Sequence, residues 1–233
     1  ILFKKKIVVT GGEGRFASVL KKTKSNYDYL FPSKKTLNIL NVNSIRKYIQ
    51  KYKPKYLLHC AGLSRPMIIH ETNFKKSIDL NIIGTANVTK ICSEYNVKLI
   101  YFSTGYVYEG KIGNYKETSP ILPINKYAWS KLGGECAVKL YKNSLILRII
   151  MCEKPFLHKS AFKDIKTNFI FHEDVAKFIP KILNKKGILN VGGKIQSVYN
   201  FAKKYNKFIK KTSGKKVFPP NPSMNITKLK KII

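Results

Sequence analysis

The chain has 233 residues, of which 44% are hydrophobic, and it carries a formal net charge of +33 at pH 7. This apolar content excludes a disordered chain, because it is enough to pack a core, and the length suits one domain or one domain with a small appendage. No run of about 18 uncharged apolar residues occurs, and residues 1–9 are too short for a secretory leader. We therefore expect neither a membrane-spanning helix nor a signal peptide.

Short apolar runs alternate with helical patterns through the first two thirds of the chain. In chain order, the sequence predicts strands over 6–10, 27–31, 56–59, 98–102 and 144–150, separated by helices over 15–24, 42–52, 73–95 and 127–141. Helices between consecutive strands make βαβ units, which build a parallel sheet through right-handed crossovers. The predicted fold class is therefore α/β, with a Rossmann-type doubly wound sheet. Beyond residue 151, an irregular stretch over 152–168 precedes helices over 173–183, 197–205 and 226–232, with one strand over 188–191.

The positive charge comes almost wholly from lysine, which is spread over the whole chain. The only arginines among the 45 basic residues are Arg15, Arg46, Arg65 and Arg148. Proteins that read a nucleic-acid sequence use clustered arginine as well as lysine. We therefore expect no specific nucleic-acid partner, whereas an anionic small ligand such as a nucleotide sugar or a dinucleotide suits the charge.

Neither the cysteines nor the histidines have the spacing of metal ligands. The cysteines are Cys60, Cys92, Cys136 and Cys152. Because they lie among apolar neighbours without a CxxC pair, we expect buried free thiols in a reducing compartment, the cytoplasm. Residues 172–173 begin like the HExxH zinc motif, but Ala176 replaces its second histidine. We expect no metal site.

A glycine turn follows the first strand directly. Residues 10–17 read TGGEGRFA, and two registers fit the dinucleotide fingerprint, with either Gly11 or Gly12 followed by Gly14 and Ala17. Glycine lets the backbone approach a pyrophosphate, and the following helix offers free N–H groups and the positive end of its dipole. This context favours a dinucleotide site over an ordinary tight turn.

The second strand lacks the acid that commonly holds the adenosine ribose of NAD. Ser33, Lys34 and Lys35 follow it instead. Hydroxyl and ammonium groups suit a 2′-phosphate, to which Arg15 would add a third contact. NADP(H) is therefore favoured, and NAD(H) stays possible, because lysine is abundant everywhere in this chain.

Tyr127 and Lys131 lie four residues apart on a predicted helix, so the phenol and the ammonium can reach one substrate. The cation is expected to lower the pKa of the tyrosine, which would make it a proton donor or acceptor near neutrality. The spacing alone is not specific, because Tyr199 and Lys203 repeat it. Only the first pair follows a strand that ends in hydroxyl residues, at Thr104.

The order of further motifs resembles the extended short-chain dehydrogenases/reductases, and above all their dTDP-4-dehydrorhamnose reductase branch. Residues 101–110 read YFSTGYVYEG, similar to that branch's STDYVFDG motif, with Gly105 in place of the usual Asp. HCAG over 59–62 resembles the family's NxA[AG] strand end, and NIIGT over 81–85 resembles its NxxGT helix motif. Asn38-Ile39 stands where the family has Asp-Ile beside adenine. Residues 171–176 and 190–193 match later landmarks.

The resemblance implies a set of site residues. The catalytic residues would be Thr104, Tyr127 and Lys131. The cofactor residues would be Gly11, Gly14, Arg15, Phe16, Ser33, Lys34, Asn38, Ile39, Cys60, Ala61, Gly62 and Asn81, together with Tyr127 and Lys131. The substrate residues would be Ser64, Arg65, Thr104, Gly105 and Tyr106.

The reaction implied by the resemblance is reduction of a 4-keto nucleotide sugar by NAD(P)H, in deoxysugar or polysaccharide biosynthesis. Tyr127 would protonate the developing alkoxide, Lys131 would tune Tyr127 and bind the nicotinamide ribose, and Thr104 would polarise the carbonyl. Residues 1–151 would form the NAD(P)-binding Rossmann domain. Residues 152–233 would form a trimmed substrate-binding lobe, from which one strand–helix unit returns to the main sheet.

Two other hypotheses stay open. An NAD-dependent nucleotide-sugar epimerase or dehydratase shares the scaffold, but Gly105-Tyr106 stands where dehydratases often carry an Asp-Glu pair. The second is a non-catalytic Rossmann-type binding protein, against which the intact Thr104, Tyr127 and Lys131 argue. A homodimer through the helices over 73–95 and 127–141 is possible in each case.

We predict that Lys34→Ala combined with Lys35→Ala weakens NADPH binding more than NADH binding. Only NADPH carries the 2′-phosphate that these ammonium groups would contact. Titration of both cofactors against the wild type and the double variant measures the difference. Equal losses for NADPH and NADH would show that the two lysines contribute only general surface charge.

Overall fold

The computed structural model describes residues 4–214 and 218–233. Residues 1–3, which begin the segment considered for a signal peptide, lie outside the described residues. The strands are β1 (Lys6–Thr10), β2 (Asp28–Leu30), β3 (Tyr56–His59), β4 (Lys98–Phe102), β5 (Ser144–Ile149), β6 (Met151–Cys152), β7 (Ser160–Phe162), β8 (Lys166–Thr167), β9 (Ile170–Phe171), β10 (Gly187–Val191), β11 (Gln196–Ser197) and β12 (Lys210–Thr212). The helices are α1 (Arg15–Lys22), α2 (Val42–Tyr52), α3 (Ile69–Thr72), α4 (Phe74–Ser77), α5 (Gly84–Glu94), α6 (Lys126–Lys139), α7 (His172–Ile182), α8 (Val198–Lys203) and α9 (Thr227–Lys230), with a π-helical turn over Ile78–Ile83 and a 3-10 turn over Gly105–Val107.

Six strands form one parallel sheet in the order β2-β1-β3-β4-β5-β10. The strand order reverses between β1 and β3, because β2 pairs with one side of β1 and β3 pairs with the other. In open α/β sheets, ligands bind outside the carboxyl ends of the strands at such a switch point. The predicted Rossmann-type fold is confirmed, and β10 pairs in parallel with β5 at the far edge.

Helices cover both faces of the sheet, as is usual for parallel sheets. Side chains alternate along β1, so Ile7 and Val9 pack against α1 and α7 while Val8 packs against α2 and α5. A separate apolar cluster around Phe171 and Phe201 is the core of the smaller lobe. None of the described helices is long and apolar enough to cross a bilayer.

The predicted helix over 73–95 is present over 74–94, but it consists of α4, the π-helical turn and α5 in direct succession rather than one regular α-helix. Asn73 ends α3 and begins α4, where its side chain accepts a hydrogen bond from the Lys76 amide, and the π-helical turn follows. Asparagine favours such a cap because its side chain competes for nearby backbone groups. Two expectations fail: the stretch over 152–168 contains the short strands β7 and β8, and Cys136 is exposed.

A buried ion pair holds the carboxyl ends of β4 and β5 together. Arg148 on β5 and Glu135 on α6 are both almost fully buried, and Nη2 lies 2.8 Å from Oε2. Ser103, directly after β4, donates to the same carboxylate at 2.5 Å. Arg148 also donates to the Tyr108 hydroxyl at 2.9 Å, and that hydroxyl donates to Asn190 on β10 at 2.8 Å. This network fixes the strand end from which Thr104 follows.

Replacing Arg148 with Met should destabilise the fold by about 3–5 kcal/mol, because it leaves the Glu135 carboxylate buried without its cation. Urea unfolding followed by circular dichroism measures the loss. Adding Glu135→Leu should recover most of it, since no uncompensated charge remains. Arg46→Gln breaks a more exposed pair with Glu94 and should cost less than about 1 kcal/mol. If Arg148→Met lowers the free energy of unfolding no more than Arg46→Gln does, the stabilising role of the buried ion pair is contradicted.

Candidate active site

The glycine turn joins β1 to α1 at the switch point. Gly11 has a φ of +70°, and a Cβ there would lie 3.0 Å from the Ala61 backbone, so the position requires glycine. Gly14 donates its N–H to Gly11 O at 2.8 Å and is the N-cap of α1. This helix has no capping side chain and no acidic residue in its first turn. Its first N–H groups, those of Arg15 and Phe16, are therefore suited to an anion.

The Thr10 hydroxyl, at the end of β1, organises the end of β3. It accepts hydrogen bonds from the amides of Cys60 and Ala61, both at 3.1 Å, and with its lone pairs used it donates to Nδ1 of His59 at 2.8 Å. Nε2 of His59 then carries the proton and donates to Thr85 on α5 at 3.0 Å. Burial lowers the pKa of His59 to about 3, with a smaller contribution from a nearby ammonium, so the imidazole stays neutral. Cys60 and Ala61 are thereby held against the glycine turn.

Asn81, in the π-helical turn, ties the loop after β3 to α6. Its side chain accepts from the Leu63 amide at 2.7 Å, donates to the Leu63 carbonyl at 2.9 Å and donates to Ser130 at 2.8 Å. A Cβ at Gly62 would lie 2.8 Å from Asn81 Oδ1 and 3.9 Å from Lys131 Nζ. The structure therefore brings Gly62, Asn81 and Lys131 together, as the sequence predicts.

Thr104 and Tyr127 meet in a pocket at the carboxyl ends of β4 and β5. Both residues line this pocket of about 610 Å³, and the Thr104 hydroxyl lies close enough to the Tyr127 phenol to act on its pKa. Lys131, one turn further along α6, is buried with Nζ 4.3 Å from the centroid of the Tyr101 ring. The ring of His70, which sequence reasoning missed, packs against Tyr127 with 5.1 Å between centroids. A hydroxyl and a phenol thus line one pocket, while the Lys131 ammonium lies beside Tyr101 and Gly62.

The expectation that Lys131 lowers the pKa of Tyr127 is wrong for this structure. Burial raises the pKa of Tyr127 to about 12, and the hydrogen bond from Thr104 opposes it only in part. Burial also lowers the pKa of Lys131 to about 8. Tyr127 is therefore a neutral phenol near pH 7, which suits it to donate a proton rather than to accept one.

The predicted substrate residues Ser64, Arg65 and Tyr106 line the same pocket. Gly105 has a different surrounding, because a Cβ there would lie 2.8 Å from Met224 Sδ and 2.9 Å from Ile150 Cδ1. Apolar groups thus fill the space that an Asp side chain would need at position 105. Gly105, which replaces the Asp of the family motif, therefore fits the close packing of Met224 and Ile150 at this position.

Arg15 does not join the residues after β2, contrary to the prediction of a 2′-phosphate contact. Its guanidinium pairs with Glu153 at 2.8 Å, and the same carboxylate pairs with Arg65 at 3.0 Å. Arg15 therefore lines the pocket of Thr104 and Tyr127 rather than the groove that contains Ser33. Sequence reasoning missed Glu153 because 138 residues separate it from Arg15 and no motif includes it.

A groove of about 990 Å³ lies beyond the end of β2 and along α2. The residues that line it include Glu13, Ser33, Lys34, Lys35, Asn38, Lys47 and Lys51. Ser33, Lys34 and Asn38 were predicted, whereas Lys47 and Lys51 were missed although their four-residue spacing on a predicted helix was visible. Ile39 is buried against Gly84, where a Cβ would lie 2.6 Å from Ile39 Cδ1. Among the described residues, no three potential ligands cluster as a metal site.

Comparison with known proteins gives one family match and two kinds of relative. The family model described as RmlD substrate binding domain matches residues 5–152. Methionine adenosyltransferase 2 subunit beta from Xenopus laevis is 32% identical over 143 residues, which are 58% of this chain and 42% of that protein. The dTDP-4-dehydrorhamnose reductase from Aggregatibacter actinomycetemcomitans is 28% identical over 148 residues, which are 61% of this chain and 50% of that protein. The chain spans half or less of the length of these relatives.

Among solved structures, the chain is similar to dTDP-4-dehydrorhamnose reductase from Bacillus anthracis str. Ames in complex with NADP. The TM-score is 0.88 at 23% sequence identity, and the match covers 99% of this chain and 92% of that chain. At this identity the likeness shows a shared fold.

Lys131→Met should stabilise the fold near neutral pH. Burial lowers the pKa of Lys131 from 10.5 to about 8, so below pH 8 the folded protein holds a buried ammonium that the unfolded chain leaves in water. The gain, on the order of 1–3 kcal/mol at pH 7, should shrink above pH 8 and vanish above about 10.5, where both states are neutral. Thermal unfolding across this range measures it, with exposed Lys139→Met on the same helix as control. A Lys131→Met variant less stable than wild type at pH 7 would refute the assignment.

Proposed function

This chain belongs to the family of the RmlD substrate binding domain, and on that premise we propose that it is an NAD(P)H-dependent reductase of a 4-keto nucleotide sugar. The observation that carries the proposal is that Thr104 and Tyr127 line one pocket, which also contains Arg15, the first residue of α1. Lys131 lies buried one turn further along α6. The proposed reaction follows that of the similar dTDP-4-dehydrorhamnose reductases and belongs to deoxysugar or polysaccharide biosynthesis.

The residues at the switch point fit a nicotinamide dinucleotide. Gly11 and Gly14 bring bare backbone to the start of α1, which begins without a capping side chain, so a pyrophosphate suits this end. Asn38 and the lysines of the groove along α2 would bind the adenosine end. Residues 60–62 and Lys131 would bind the nicotinamide end. When bound, the nicotinamide supplies a hydride to the carbonyl carbon of the substrate.

The side chains of the pocket account for the rest of the reduction. Thr104 and Tyr127 donate hydrogen bonds to the carbonyl oxygen of the sugar, on which negative charge grows during reduction. Tyr127 then gives its proton to that oxygen, a step that suits a phenol held neutral by burial. Lys131, charged below about pH 8, offsets the charge left on Tyr127 and binds the nicotinamide ribose.

NADP(H) is the preferred cofactor in this proposal, and NAD(H) is the alternative. Ser33 and Lys34 line the groove together with Lys47 and Lys51 of α2, and these groups would bind the additional phosphate of NADP. Glu13 lines the same groove and opposes an anion there, but the lysines outnumber it. NADP in the similar Bacillus anthracis structure supports the same preference.

An NAD-dependent epimerase or dehydratase on this scaffold is the first alternative. Gly105 places no carboxylate beside Thr104, and Met224 with Ile150 occupies the space for one, which argues against dehydration. NAD(H) retained tightly through purification would favour the epimerase.

A non-catalytic binding subunit of another enzyme is the second candidate function. It is supported by the 32% identity over 143 residues with a protein named as a methionine adenosyltransferase subunit. The Rossmann-type fold would then bind its ligand without turnover. The discriminating observation is NADPH binding without reduction of any keto sugar.

The proposal divides the chain between two tasks. Residues 1–151 bind the cofactor, while residues 152–233 complete the substrate pocket, whose lining includes Phe156, His172 and Pro222. We include in the proposal a homodimer through α5 and α6 and a cytoplasmic location, which the four free cysteines suit.

The test is a screen of nucleotide-linked 4-keto sugars with NADPH and NADH, followed by the loss of absorbance of the reduced nicotinamide. Tyr127→Phe should lower kcat by about 100-fold or more, with little change in cofactor affinity, because only the proton donor is removed. Tyr199→Phe on α8 is the matched control, since Lys203 follows Tyr199 at the same spacing, and it should keep wild-type turnover. Near-normal turnover by Tyr127→Phe would assign the proton to another acid.

A further inference from the structure

Three charged side chains meet in the wall of the substrate pocket. Glu153, directly after β6, lies between Arg15 at the start of α1 and Arg65 in the loop after β3. Its Oε1 is 2.8 Å from Nη1 of Arg15 and 3.0 Å from Nη1 of Arg65. All three residues line the pocket that contains Thr104 and Tyr127. We call this arrangement the Arg15–Glu153–Arg65 bridge.

The bridge carries more positive charge than its carboxylate balances. Two guanidinium groups share one carboxylate, and the contacts to Glu153 use only Nη1 of each arginine. Burial raises the pKa of Glu153, but a backbone hydrogen bond and the two guanidiniums outweigh it and hold the pKa below its usual value. Glu153 is therefore ionised at neutral pH, and the bridge keeps a net charge of +1. Guanidinium groups match the paired oxygens of phosphates in geometry as well as in charge.

The bridge lies close to the reacting groups. The positive charge of Arg65 opposes in part the rise in pKa that burial causes at Tyr106 and Tyr127, and all three residues line the same pocket. A ligand whose sugar contacts Tyr127 therefore carries its linked phosphates within reach of Arg65. The side chains of Arg15 and Arg65 are about half exposed, so both can turn towards such a ligand.

We propose that Glu153 is an internal competitor for the diphosphate of the nucleotide sugar, which displaces the carboxylate and binds Arg15 and Arg65 in its place. This inference rests on the proposed nucleotide-sugar site. The carboxylate holds both guanidiniums in position before the substrate arrives, and its displacement lowers the affinity of every diphosphate ligand. A nucleoside without phosphates does not displace Glu153 from the arginines, so its affinity should not depend on Glu153. The pyrophosphate of the cofactor is a second candidate ligand of these arginines, because Arg15 directly follows the glycine turn.

The experiment measures binding without turnover. Inorganic pyrophosphate, dTDP and thymidine are titrated calorimetrically against the wild type, Glu153→Gln, Arg65→Gln and Arg15→Gln, at about 0.15 M salt to screen the surface lysines. Glu153→Gln should tighten pyrophosphate and dTDP by about three- to tenfold and leave thymidine unchanged. Each arginine variant should weaken both phosphate ligands by about tenfold or more, the usual effect of losing a charged hydrogen bond.

Matched controls remove the same charges elsewhere. Arg46 and Glu94 form an ion pair at 3.0 Å that lines neither pocket, so Arg46→Gln and Glu94→Gln should change dTDP affinity by less than about twofold. Circular dichroism of every variant confirms that it is folded.

The dTDP titrations are repeated on protein saturated with NADPH to separate the two diphosphates. If Glu153→Gln still binds dTDP more tightly than the wild type when NADPH is bound, the inference is supported. If this increase in dTDP affinity disappears when NADPH is bound, the arginines bind the cofactor instead and the inference is overturned. An unchanged or weakened dTDP affinity at Glu153→Gln overturns it as well. If Glu153→Gln binds dTDP more tightly but the wild type reduces no keto sugar, the reductase proposal is rejected. The inference that Glu153 competes with the diphosphate is then still supported.

Discussion

A single hydroxyl, that of Thr10, fixes the point at which the sheet reverses its strand order. It holds the end of β3 through two amides and His59, and His59 passes the restraint to α5 through Thr85. The His59 ring also stacks on the Tyr101 ring, and the Tyr101 phenol donates to the Lys131 carbonyl on α6 at 3.1 Å. The glycine turn and α6 are therefore positioned by one continuous chain of buried contacts. Buried polar groups stabilise the fold only when each has a hydrogen-bond partner. The His59 imidazole can accept from Thr10 and donate to Thr85 because burial keeps it neutral.

The strand end that supplies Thr104 is restrained by two polar networks. Tyr101 belongs to the network of Thr10, and Ser103 belongs to the ion pair of Glu135 and Arg148. All four arginines of this chain are paired with glutamates, whereas the abundant lysines are largely exposed. Arginine makes the fixed contacts here because its planar fork suits a carboxylate. The net charge of +33 therefore belongs mainly to a lysine surface, to which the buried Lys98 and Lys131 are exceptions.

Sequence reasoning succeeded where local pattern decides the structure. The strands over 6–10, 56–59 and 98–102 have the predicted bounds, and the turn follows the register of Gly11 and Gly14. It failed where distant contacts decide. The predicted helix over 73–95 contains a π-helical turn where Asn81 hydrogen-bonds Leu63, and the side chain of Arg15 pairs with Glu153 instead of lining the groove of Ser33. The pKa of Tyr127 depends on burial, which spacing along a helix cannot report.

The wall behind Gly105 comes from a distant part of the chain. Met224 bridges to Tyr115, and the Asn168 side chain makes hydrogen bonds to both backbone groups of Met224. The glycine turn and Tyr127 are translated before Asn168 and Met224, so a growing chain contains Ile150 before the residues that pack against it have been made. Exposed apolar surface of this kind is where incomplete chains aggregate. Because of this order of synthesis, the residues around Met224 also have the role of covering Ile150 as soon as they have been made.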